Sequence, residues 1–555
     1  MILKKALAIY SFACLVALPL MAQEEEIKPT SGDNSSRQLS LGYRLKRSFW
    51  ESFHTTLVST SLKLDNNTLA GPVGRGSDLI PWNQLDSRIP IGNVSTAYAP
   101  SSDSPFLRNL ASSALYYLRT FYPLPAGNLP SIPQNVAQTT LLFPQKYQRY
   151  IDFSPLPEEF NQGMTTGDMV AALALKGPLA HYIECLDPQQ HRYKIDLSSY
   201  EKWPVRQGLS ELGGVAFLTY NPELQRMETQ KISYLGQDYT KDLAEEWQQK
   251  QKILLMTMSA DTAIVRHLLY THMLVAGVFS AVNNRYLHDK HPLRILMHPH
   301  QHLTLGVNNS NVKLLLGNES SFFTRIFSYN RETLLKLVQD KIDNFKFSLM
   351  DITEDLKARC MDSAQSDSEP VPYPYAENTT RLRSIIQHHV QGYLDLYYQG
   401  DQALREDASV GEWYKALNQH IPNGITAYAP EISKENISKL VTTFIYTASV
   451  EHENVGNIKA HYGIWHPYIP TQVPLDPKKL PTIDVLQQYV DLTFLTSIPS
   501  WKVTDDFSFL GIDEAGKNSL KQFSEAMQSY QAELDQKDFN YYTIYPKNLE
   551  TAVSS

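Results

Sequence analysis

Seven of the sixteen histidines in this 555-residue chain fall within one stretch, residues 267–302. They are His267, His272, His288, His291, His298, His300 and His302. Imidazole is the commonest protein ligand of catalytic transition metals. The cluster therefore raises the hypothesis of a metal site along this stretch.

The first pair, His267 and His272, lies in the sequence HLLYTH, within a long segment of helical periodicity. Five residues at about 100° each turn a helix by about 500°, so in a regular α-helix the two side chains point about 140° apart. A local π-turn, which closes from residue i to i+5, would bring both onto one face, and such turns concentrate at functional sites. Without that turn, one imidazole is a structural core residue and the pair shares no metal.

A second group, His298, His300 and His302, alternates in the sequence HPHQH. In a β-strand the three side chains would share one face and could bind zinc or copper. Pro299 weakens a ladder-forming strand, so we expect a polar loop here instead. A zinc-dependent hydrolase built on this group stays an alternative, but it needs a general-base carboxylate and the segment supplies only Asp289.

The remaining candidates are open to both a structural and a functional interpretation. His288 and His291 are ambiguous, and His452, which closes the apolar segment LVTTFIYTASVEH, is by itself more typical of a structural residue. The sequence contains no GxSxG elbow, P-loop, CxxC pair or Rossmann glycine fingerprint. The usual hydrolase, nucleotide-binding and thiol chemistries therefore find no support.

The elements that must position these histidines are mainly helical. Apolar residues recur at spacings of three and four over Lys241–Tyr286, which predicts one long helix through the core. The same pattern predicts helices over Arg331–Met361, Thr380–Tyr398 and Ser433–Glu451, whereas strand-like runs such as Val215–Tyr220 are few and short. We predict a mainly α-helical fold, in which a single large helical domain surrounds the long central helix.

Two stretches lack any helical period. Leu64–Ser104 is rich in Gly, Asn, Pro and Ser, and Asp362–Asn378 interrupts the second half of the chain with similar composition. Both are predicted to be irregular surface chain. No internal repeat is visible in the sequence.

Composition narrows the functional classes. With 42% apolar and 19% charged residues, the chain has enough side chains to build a core, which argues against whole-chain disorder, collagen or coiled coil. Fifty basic and 58 acidic residues leave a net charge of −8. Because no basic field attracts a phosphate backbone, we expect no nucleic-acid partner.

The N-terminus has the pattern of a secretory signal peptide. Lys4 and Lys5 precede an apolar run that ends near Ala22. We expect residues 1–22 to be the signal peptide, residues 23–38 a flexible leader and residues 39–555 the folded domain, in a secreted or periplasmic protein. Cleavage would leave only Cys185 and Cys360, so the core must stabilise the protein without a disulfide framework.

Three blocks in the same order resemble the lipoxygenase family. HLLYTH with the later HPLRILMHPH, at His291–His300, resembles the family's iron-binding region, and Tyr373–Leu417 matches its run through Tyr397, Tyr398, Asp401, Asp407 and Trp413. ASVEHENVGNIKAHYGIWHPYIP, at Ala448–Pro470, resembles the segment that carries the third histidine ligand, and the closing NLETAVSS resembles the family's last segment. The similarity is recognisable over Glu245–Ser555.

The resemblance implies a mononuclear non-haem iron, or manganese as in some members, held by His267, His272, His452 and the terminal carboxylate of Ser555. It implies the π-turn as well. The implied activity is a dioxygenase reaction, in which metal-bound hydroxide, and no side-chain nucleophile, takes hydrogen from a polyunsaturated fatty acid. The resulting radical captures O2 and leaves as a conjugated hydroperoxide.

The family also suggests where the protein acts. Plant and animal lipoxygenases carry an N-terminal membrane-docking β-barrel, and we expect none here because the catalytic domain fills the distance from the signal to His267. The implied partners are the fatty acid and O2, with peripheral contact to membrane lipid. The resemblance does not identify the residues that bind the fatty acid.

Two positions depart from the family pattern. Four residues after His452 the family presents Asn or His as a weak fifth ligand, and here Gly456 leaves that coordination position open or water-filled. The terminal residue is usually Ile, so Ser555 loses packing worth about 1.5–3 kcal/mol if fully buried but keeps the main-chain carboxylate. Both departures favour an alternative: an exported lipid-binding protein on a lipoxygenase fold with altered or lost redox activity.

Overall fold

The structure is a computed structural model. It describes residues 166–362, 371–456, 469–476, 501–537 and 541–553, short stretches between residues 45 and 97, and the isolated residues 479 and 539. The predicted signal peptide and leader, Ser555 and most of the Leu64–Ser104 stretch lie outside the described residues.

Helices make up most of the described chain, as predicted. They are α1 (Trp82–Leu85), α2 (Met169–Lys176), α3 (Ala244–Ala260), α4 (Val278–Tyr286), α5 (Pro292–Met297), α6 (Thr304–Leu316), α7 (Phe322–Ile326), α8 (Arg331–Asp343), α9 (Ile352–Ala358), α10 (Pro374–Tyr397), α11 (Asp401–Glu406), α12 (Ala408–His420), α13 (Lys434–Tyr446), α14 (His452–Gly456) and α15 (Glu514–Asp535). Two π-helical segments, Asp261–Gly277 and Thr447–Glu451, join α3 to α4 and α13 to α14. Short 3₁₀ turns lie at Ala180–Tyr182, Pro188–Gln190, Ser198–Tyr200, His298–His300, Phe347–Met350, Ser508–Leu510 and Pro546–Asn548.

The predicted long central helix is confirmed. It runs without a break over Ala244–Tyr286, through α3, the first π segment and α4. Its length and apolar composition would suffice to cross a membrane, but 83% of its most apolar 18-residue window is buried inside the protein. The helix is therefore apolar because it is surrounded on all sides by the rest of the core.

The other predicted helices are confirmed with one exception. α10 covers the predicted Thr380–Tyr398 helix and packs on both α13 and α15, and Ser433 caps α13 by accepting from the Asn436 N–H. The prediction of one helix over Arg331–Met361 is wrong, because α8 ends at Asp343 and α9 begins at Ile352.

The interruption between α8 and α9 has a local cause. Asn344 ends α8, since both its backbone N–H and its side-chain amide donate to the Asp340 carbonyl, at 3.2 and 2.8 Å. Asp351 then starts a new helix by accepting from the Thr353 N–H at 3.0 Å. Residues with strong capping side chains thus end one helix and begin another within a segment whose apolar period looks continuous.

Strands are few among the described residues. Two short ones, β1 (Ile80–Pro81) and β2 (Ser95–Thr96), pair antiparallel. The main sheet contains β3 (Glu184–Asp187), β4 (Arg192–Asp196), β5 (Val215–Asn221), β6 (Arg226–Tyr234) and β7 (Gln237–Tyr239), antiparallel and in chain order. β5 confirms the predicted strand at Val215–Tyr220, and β6 packs the sheet against α2 and α3.

Both stretches predicted to be irregular differ in detail from their prediction. Leu64–Ser104 contains β1, α1 and β2 among its described residues, so it is not irregular throughout. The stretch Asp362–Asn378 ends earlier than predicted, because α10 begins at Pro374. Proline fits the first turn of a helix, where its missing N–H would have no partner in any case.

A disulfide joins Cys185 and Cys360, which are 175 residues apart in the chain and 5.4 Å apart between Cα atoms. It ties β3 of the sheet to the chain that follows α9, and the Cys185 N–H donates to the neighbouring Arg359 carbonyl at 2.9 Å. The sequence predicts no disulfide framework and does not reveal this pair. A single long-range bridge adds to the helical core and does not replace it.

Candidate metal centre

Three imidazoles converge at the middle of the core. The Nε2 atom of His272 lies 3.1 Å from Nε2 of His267 and 3.1 Å from Nε2 of His452. His272 and His452 are 1% and 5% exposed, and His267 is half-buried. Among the described residues, these three form the one group of histidine, cysteine and acidic side chains arranged to hold a metal ion.

The π-helical backbone brings the first two imidazoles together. The segment Asp261–Gly277 has 17 residues and contains both His267 and His272. With its wider turn, residues five apart lie nearly above one another, which a regular α-helix cannot achieve. The predicted π-turn is therefore present, but it extends over several turns of the central helix instead of one.

A second π segment precedes the third histidine. Thr447–Glu451 leads directly into His452, the first residue of α14, and this π segment and α14 both pack on the π segment of the central helix. The sequence does not predict this element, and His452 reads there only as the end of an apolar helix. A π-turn is visible in a sequence only through the spacing of two residues that must share a face. This segment has a single histidine, so no such spacing exists.

Asn308 of α6 fixes the orientation of His272. Its side-chain Oδ1 lies 3.0 Å from Nδ1 of His272, and its Nδ2 donates to the backbone carbonyl of the same residue at 2.7 Å. An Nδ1–H that donates to Asn308 leaves the Nε2 lone pair directed at the other imidazoles. Asn308 is not among the residues predicted from the sequence, because its place in α6 carries no signal of this contact.

Glycine at position 277 permits that contact. A Cβ atom there would lie 2.8 Å from the His272 carbonyl oxygen and 2.9 Å from Nδ2 of Asn308. Either approach is closer than real Cβ atoms make. Gly277 therefore leaves space for the Asn308 amide beside the central helix.

Gly456, the predicted departure from the family pattern, lies against His267. A Cβ atom at this position would be 2.8 Å from Nε2 of His267. The missing side chain therefore does more than leave out a weak ligand. It lets the imidazole ring of His267 pack directly on the backbone of α14.

Burial keeps two of the three imidazoles neutral. Desolvation lowers the pKa of His272 to about 4, and desolvation, with the charge of His272 second, lowers the pKa of His452 well below its usual range. Near neutral pH each of these two neutral rings keeps one nitrogen lone pair, which is the form that binds a metal ion.

The spacing also fits a shared ion. Two nitrogens bound at right angles to one metal, each at about 2.1 Å, lie about 3.0 Å apart, close to the separations seen here. Neutral imidazole is a good ligand for iron and other first-row metals. The donor set thus fits the metal that the resemblance implies.

The C-terminal tail is held in the protein interior. The Thr551 N–H donates to the Trp501 carbonyl at 2.9 Å, and His300 Nδ1 lies 2.8 Å from the Thr551 carbonyl oxygen. The tail is buried from Leu549 through Val553. The last predicted ligand, Ser555, lies outside the described residues.

At HPHQH the expectation that no strand forms is confirmed, but the segment is a buried turn. His298–His300 form a 3₁₀ turn, and His298, His300 and His302 are all buried. In a strand the three side chains would share a face, and this turn does not arrange them so. Among the described residues, the group that could hold a metal ion does not include them. The arrangement gives the zinc hydrolase alternative no support.

The other two candidates do not join the cluster. His291 begins α5, where its Nδ1 accepts from the Leu293 N–H at 3.2 Å and its Nε2 lies 3.1 Å from an oxygen of Asp407. His288 is exposed. His291 therefore serves as an unusual helix cap.

Comparison with known proteins points to one family. The model of the lipoxygenase family matches residues 211–512. The chain is 27% identical over 253 residues to seed linoleate 9S-lipoxygenase-3 of Pisum sativum, covering 44% of this chain and 29% of the pea protein. It is 26% identical over 216 residues to linoleate 9/13-lipoxygenase of Pseudomonas aeruginosa, covering 39% of this chain and 30% of the bacterial protein. These alignments thus span less than a third of either relative.

The fold is similar over a much longer range. The crystal structure of coral 8R-lipoxygenase superimposes with a TM-score of 0.70 and 14% sequence identity, covering 85% of this chain and 81% of the coral chain. At such low sequence identity, the similarity shows a shared fold and nothing about function. Together with the family match, it agrees with a mainly helical catalytic domain.

Proposed function

Because this chain belongs to the lipoxygenase family, we propose that it is a metal-dependent dioxygenase that inserts O2 into a polyunsaturated fatty acid and forms a conjugated hydroperoxide. The single observation that carries the proposal is the convergence of His267, His272 and His452 on one point inside an apolar core. The two relatives described above are named for linoleate, which supports this class of substrate.

We propose that His267, His272 and His452 hold the metal, with iron as the first choice and manganese as the alternative. A bound redox-active iron would accept the electron of the hydrogen atom that leaves the fatty acid. Asn308 keeps the Nε2 lone pair of His272 available as a ligand, and burial of His272 and His452 keeps them from taking up protons near neutral pH. The apolar side chains of the central helix exclude water from the same region.

A fourth ligand is proposed from the terminal carboxylate of Ser555. The buried course of the tail up to Val553, and its contact with His300, support this assignment. Extending the chain beyond Ser555 converts that carboxylate into an amide and should lower bound metal. The same extension placed at the N-terminus serves as control, and full metal content in the C-terminally extended protein would contradict the assignment.

The activity is tested with purified, metal-loaded protein, linoleate and arachidonate under air, by following conjugated-diene absorbance. The expected result is a rise that His452→Ala abolishes together with bound metal. His388→Ala changes an exposed histidine on α10 and should leave both unchanged. A metal-loaded protein that forms no diene with either acid would overturn the proposal.

We also propose that the protein is exported. The signal-like residues 1–22 and the Cys185–Cys360 disulfide support this location, because disulfides persist in oxidising compartments. The mature, disulfide-bonded form should be recovered from the periplasm or the medium. Recovery of the uncleaved chain from the cytoplasm would contradict it.

The alternative of a redox-silent lipid-binding protein finds no support in this arrangement. Gly456, one of the two departures that favoured it, packs on His267 and leaves the three imidazoles together, and the other, Ser555, lies outside the described residues.

A further inference from the structure

The C-terminal tail pairs with an earlier segment of the chain through one short antiparallel bridge. The Val503 N–H donates to the Leu549 carbonyl at 3.0 Å, and the Thr551 N–H donates to the Trp501 carbonyl at 2.9 Å. Val503, Leu549 and Thr551 are all buried. The two backbone bonds therefore hold the tail in one register four residues before Ser555.

Lys502 and Glu550 face each other at the centre of this bridge. In an antiparallel pair, opposite residues that exchange no hydrogen bond with each other have the closest side chains. The Lys502 ammonium lies 3.9 Å from Oε1 of Glu550, and it donates to the Asn548 carbonyl at 2.8 Å. One lysine thus holds the tail at two points, by charge at Glu550 and by a hydrogen bond at Asn548.

The two charged side chains differ in their contact with solvent. The side chain of Glu550 is 10% exposed, whereas that of Lys502 is 32% exposed. A carboxylate is costly to bury unless a cation lies beside it. Removing the charge of Lys502 would therefore favour withdrawal of the tail from the interior.

The segment that carries Lys502 is itself fixed on α15. The Lys502 N–H donates to Oδ2 of Asp505 at 2.9 Å, and the Asp505 carbonyl accepts from the hydroxyl of Ser524 at 2.6 Å. The side-chain amide of Gln528 donates to the Thr504 carbonyl at 2.8 Å. Because Ser524 and Gln528 belong to α15, Lys502 holds the tail against a long helix.

Lys502 also lies near the metal centre. Burial, the charge of His272 and the charge of Lys502, in that order, lower the pKa of His452. Such a charge effect falls off with distance, so the lysine is close to this imidazole. The four residues from Thr551 to Ser555 span at most about 14 Å, which keeps the terminal carboxylate in the same part of the protein.

We propose that Lys502 is a positioning residue, which holds the C-terminal tail so that the carboxylate of Ser555 meets the metal bound by the three imidazoles. The inference rests on the fourth ligand proposed above. Lys502 acts through Asn548 and Glu550, and it raises metal affinity because a ligand that is already in place loses less conformational entropy when the ion binds.

The first test measures how fast carboxypeptidase Y releases Ser555 from the purified, metal-loaded protein. Lys502→Met keeps the length of the side chain but removes its charge and its donors, so release should be about tenfold faster or more. Lys502→Arg keeps both and should restore slow release. Lys521→Met changes an exposed lysine on α15 and is the matched control. Equal release rates in Lys502→Met and Lys521→Met would overturn the proposal.

The second test combines Lys502→Met with an extension of the chain beyond Ser555, and reads metal affinity by competition with a chelator. In the chain that ends at Ser555, Lys502→Met should weaken metal binding about tenfold. In the extended chain the carboxylate is an amide, so the same substitution should have no further effect, because both changes act through one ligand. Additive losses would show that Lys502 supports the fold and not the carboxylate, and would overturn the proposal.

Failure of this inference is distinguishable from failure of the proposed function. An extension that lowers metal affinity while Lys502→Met does not contradicts the role of Lys502 alone. An extension without effect contradicts the fourth ligand and this inference together. A metal-loaded protein that forms no conjugated diene contradicts the dioxygenase alone, because release of Ser555 and metal affinity are both measured without turnover.

Discussion

Asn308 holds both ends of His272: its Oδ1 lies 3.0 Å from the ring Nδ1, and its Nδ2 donates to the backbone carbonyl at 2.7 Å. One amide thus fixes the tautomer of the ring and the position of its backbone. Partners of this kind orient metal ligands and tune their basicity.

Replacing Asn308 with Ala should weaken metal binding about 10- to 100-fold, the usual cost of losing such a partner. Metal content after dialysis against a graded chelator measures the effect. Asn309→Ala is the matched control, because this neighbouring amide donates to the Ala97 carbonyl and not to the metal centre. Unchanged metal affinity in Asn308→Ala would show that His272 needs no support from α6.

Gly277→Ala should act on the same contact from the other side. The added Cβ would lie 2.9 Å from Asn308 Nδ2 and 2.8 Å from the His272 carbonyl, so one of them must move. We expect the free energy of unfolding to fall by about 1–3 kcal/mol, as for other overpacked sites, and metal affinity to fall with it.

Gly392→Ala is the control for that substitution. Gly392 lies within α10 and a Cβ there meets nothing within 4 Å. Because Ala favours helix over Gly by about 0.5–1 kcal/mol, this variant should be neutral or slightly more stable in urea unfolding. Stabilisation of both variants alike would refute the steric role of Gly277.

Gly456→Ala should lower metal occupancy. Its Cβ would lie 2.8 Å from Nε2 of His267, the atom proposed to bind the ion. We expect a loss of about tenfold or more in metal affinity, since His267 must rotate away from the other imidazoles. Gly411→Ala in α12, where a Cβ has open space, should retain full metal. Higher occupancy in Gly456→Ala would mean that the site tolerates a side chain.

Acid should destabilise the protein through its buried histidines. Burial lowers the pKa of His300 to about 4, whereas an unfolded histidine titrates near 6.5. Between these values the unfolded state binds more protons, so this contribution is complete above pH 6.5 and is lost as the pH falls towards 4. At pH 5 the loss from one such group is about 2 kcal/mol.

His300→Asn isolates that contribution, because the amide keeps a donor for the Thr551 carbonyl and does not titrate. Urea unfolding at pH 7.5 and pH 5 should show about 2 kcal/mol less acid destabilisation in this variant than in the unmodified protein. His388→Asn, at an exposed histidine, should show the unmodified response. An equal pH response in all three proteins would rule out His300 as a source.

The disulfide should contribute measurably to stability. It closes a loop of 175 residues between Cys185 and Cys360, and loss of a native bridge usually costs about 2–5 kcal/mol. The double variant Cys185→Ser with Cys360→Ser should unfold at lower urea concentration. Dithiothreitol should shift the unmodified protein to the same midpoint and leave the double variant unchanged. A reductant effect of equal size on both would point to something other than this bridge.

Much of the scaffold follows from local pattern. Apolar spacing in Lys241–Tyr286 predicted the central helix, and the family resemblance at His267, His272 and His452 predicted which imidazoles would meet. Periodicity did not predict the break between α8 and α9, where the side chains of Asn344 and Asp351 end one helix and begin the next. A polar cap interrupts a helix without disturbing the spacing of its apolar residues.

The sequence by itself determined the helical class and the central helix, because helical periodicity is a property of neighbouring residues. The three histidines followed from the family resemblance, because spacing alone did not unite them. Only the tertiary structure decided the second π segment, the burial of His298, His300 and His302, and the amide of Asn308 against His272. The same holds for the Cys185–Cys360 bridge and the contacts of Lys502 with the C-terminal tail. Each of these joins residues far apart in the chain, and their contacts depend on how whole helices pack.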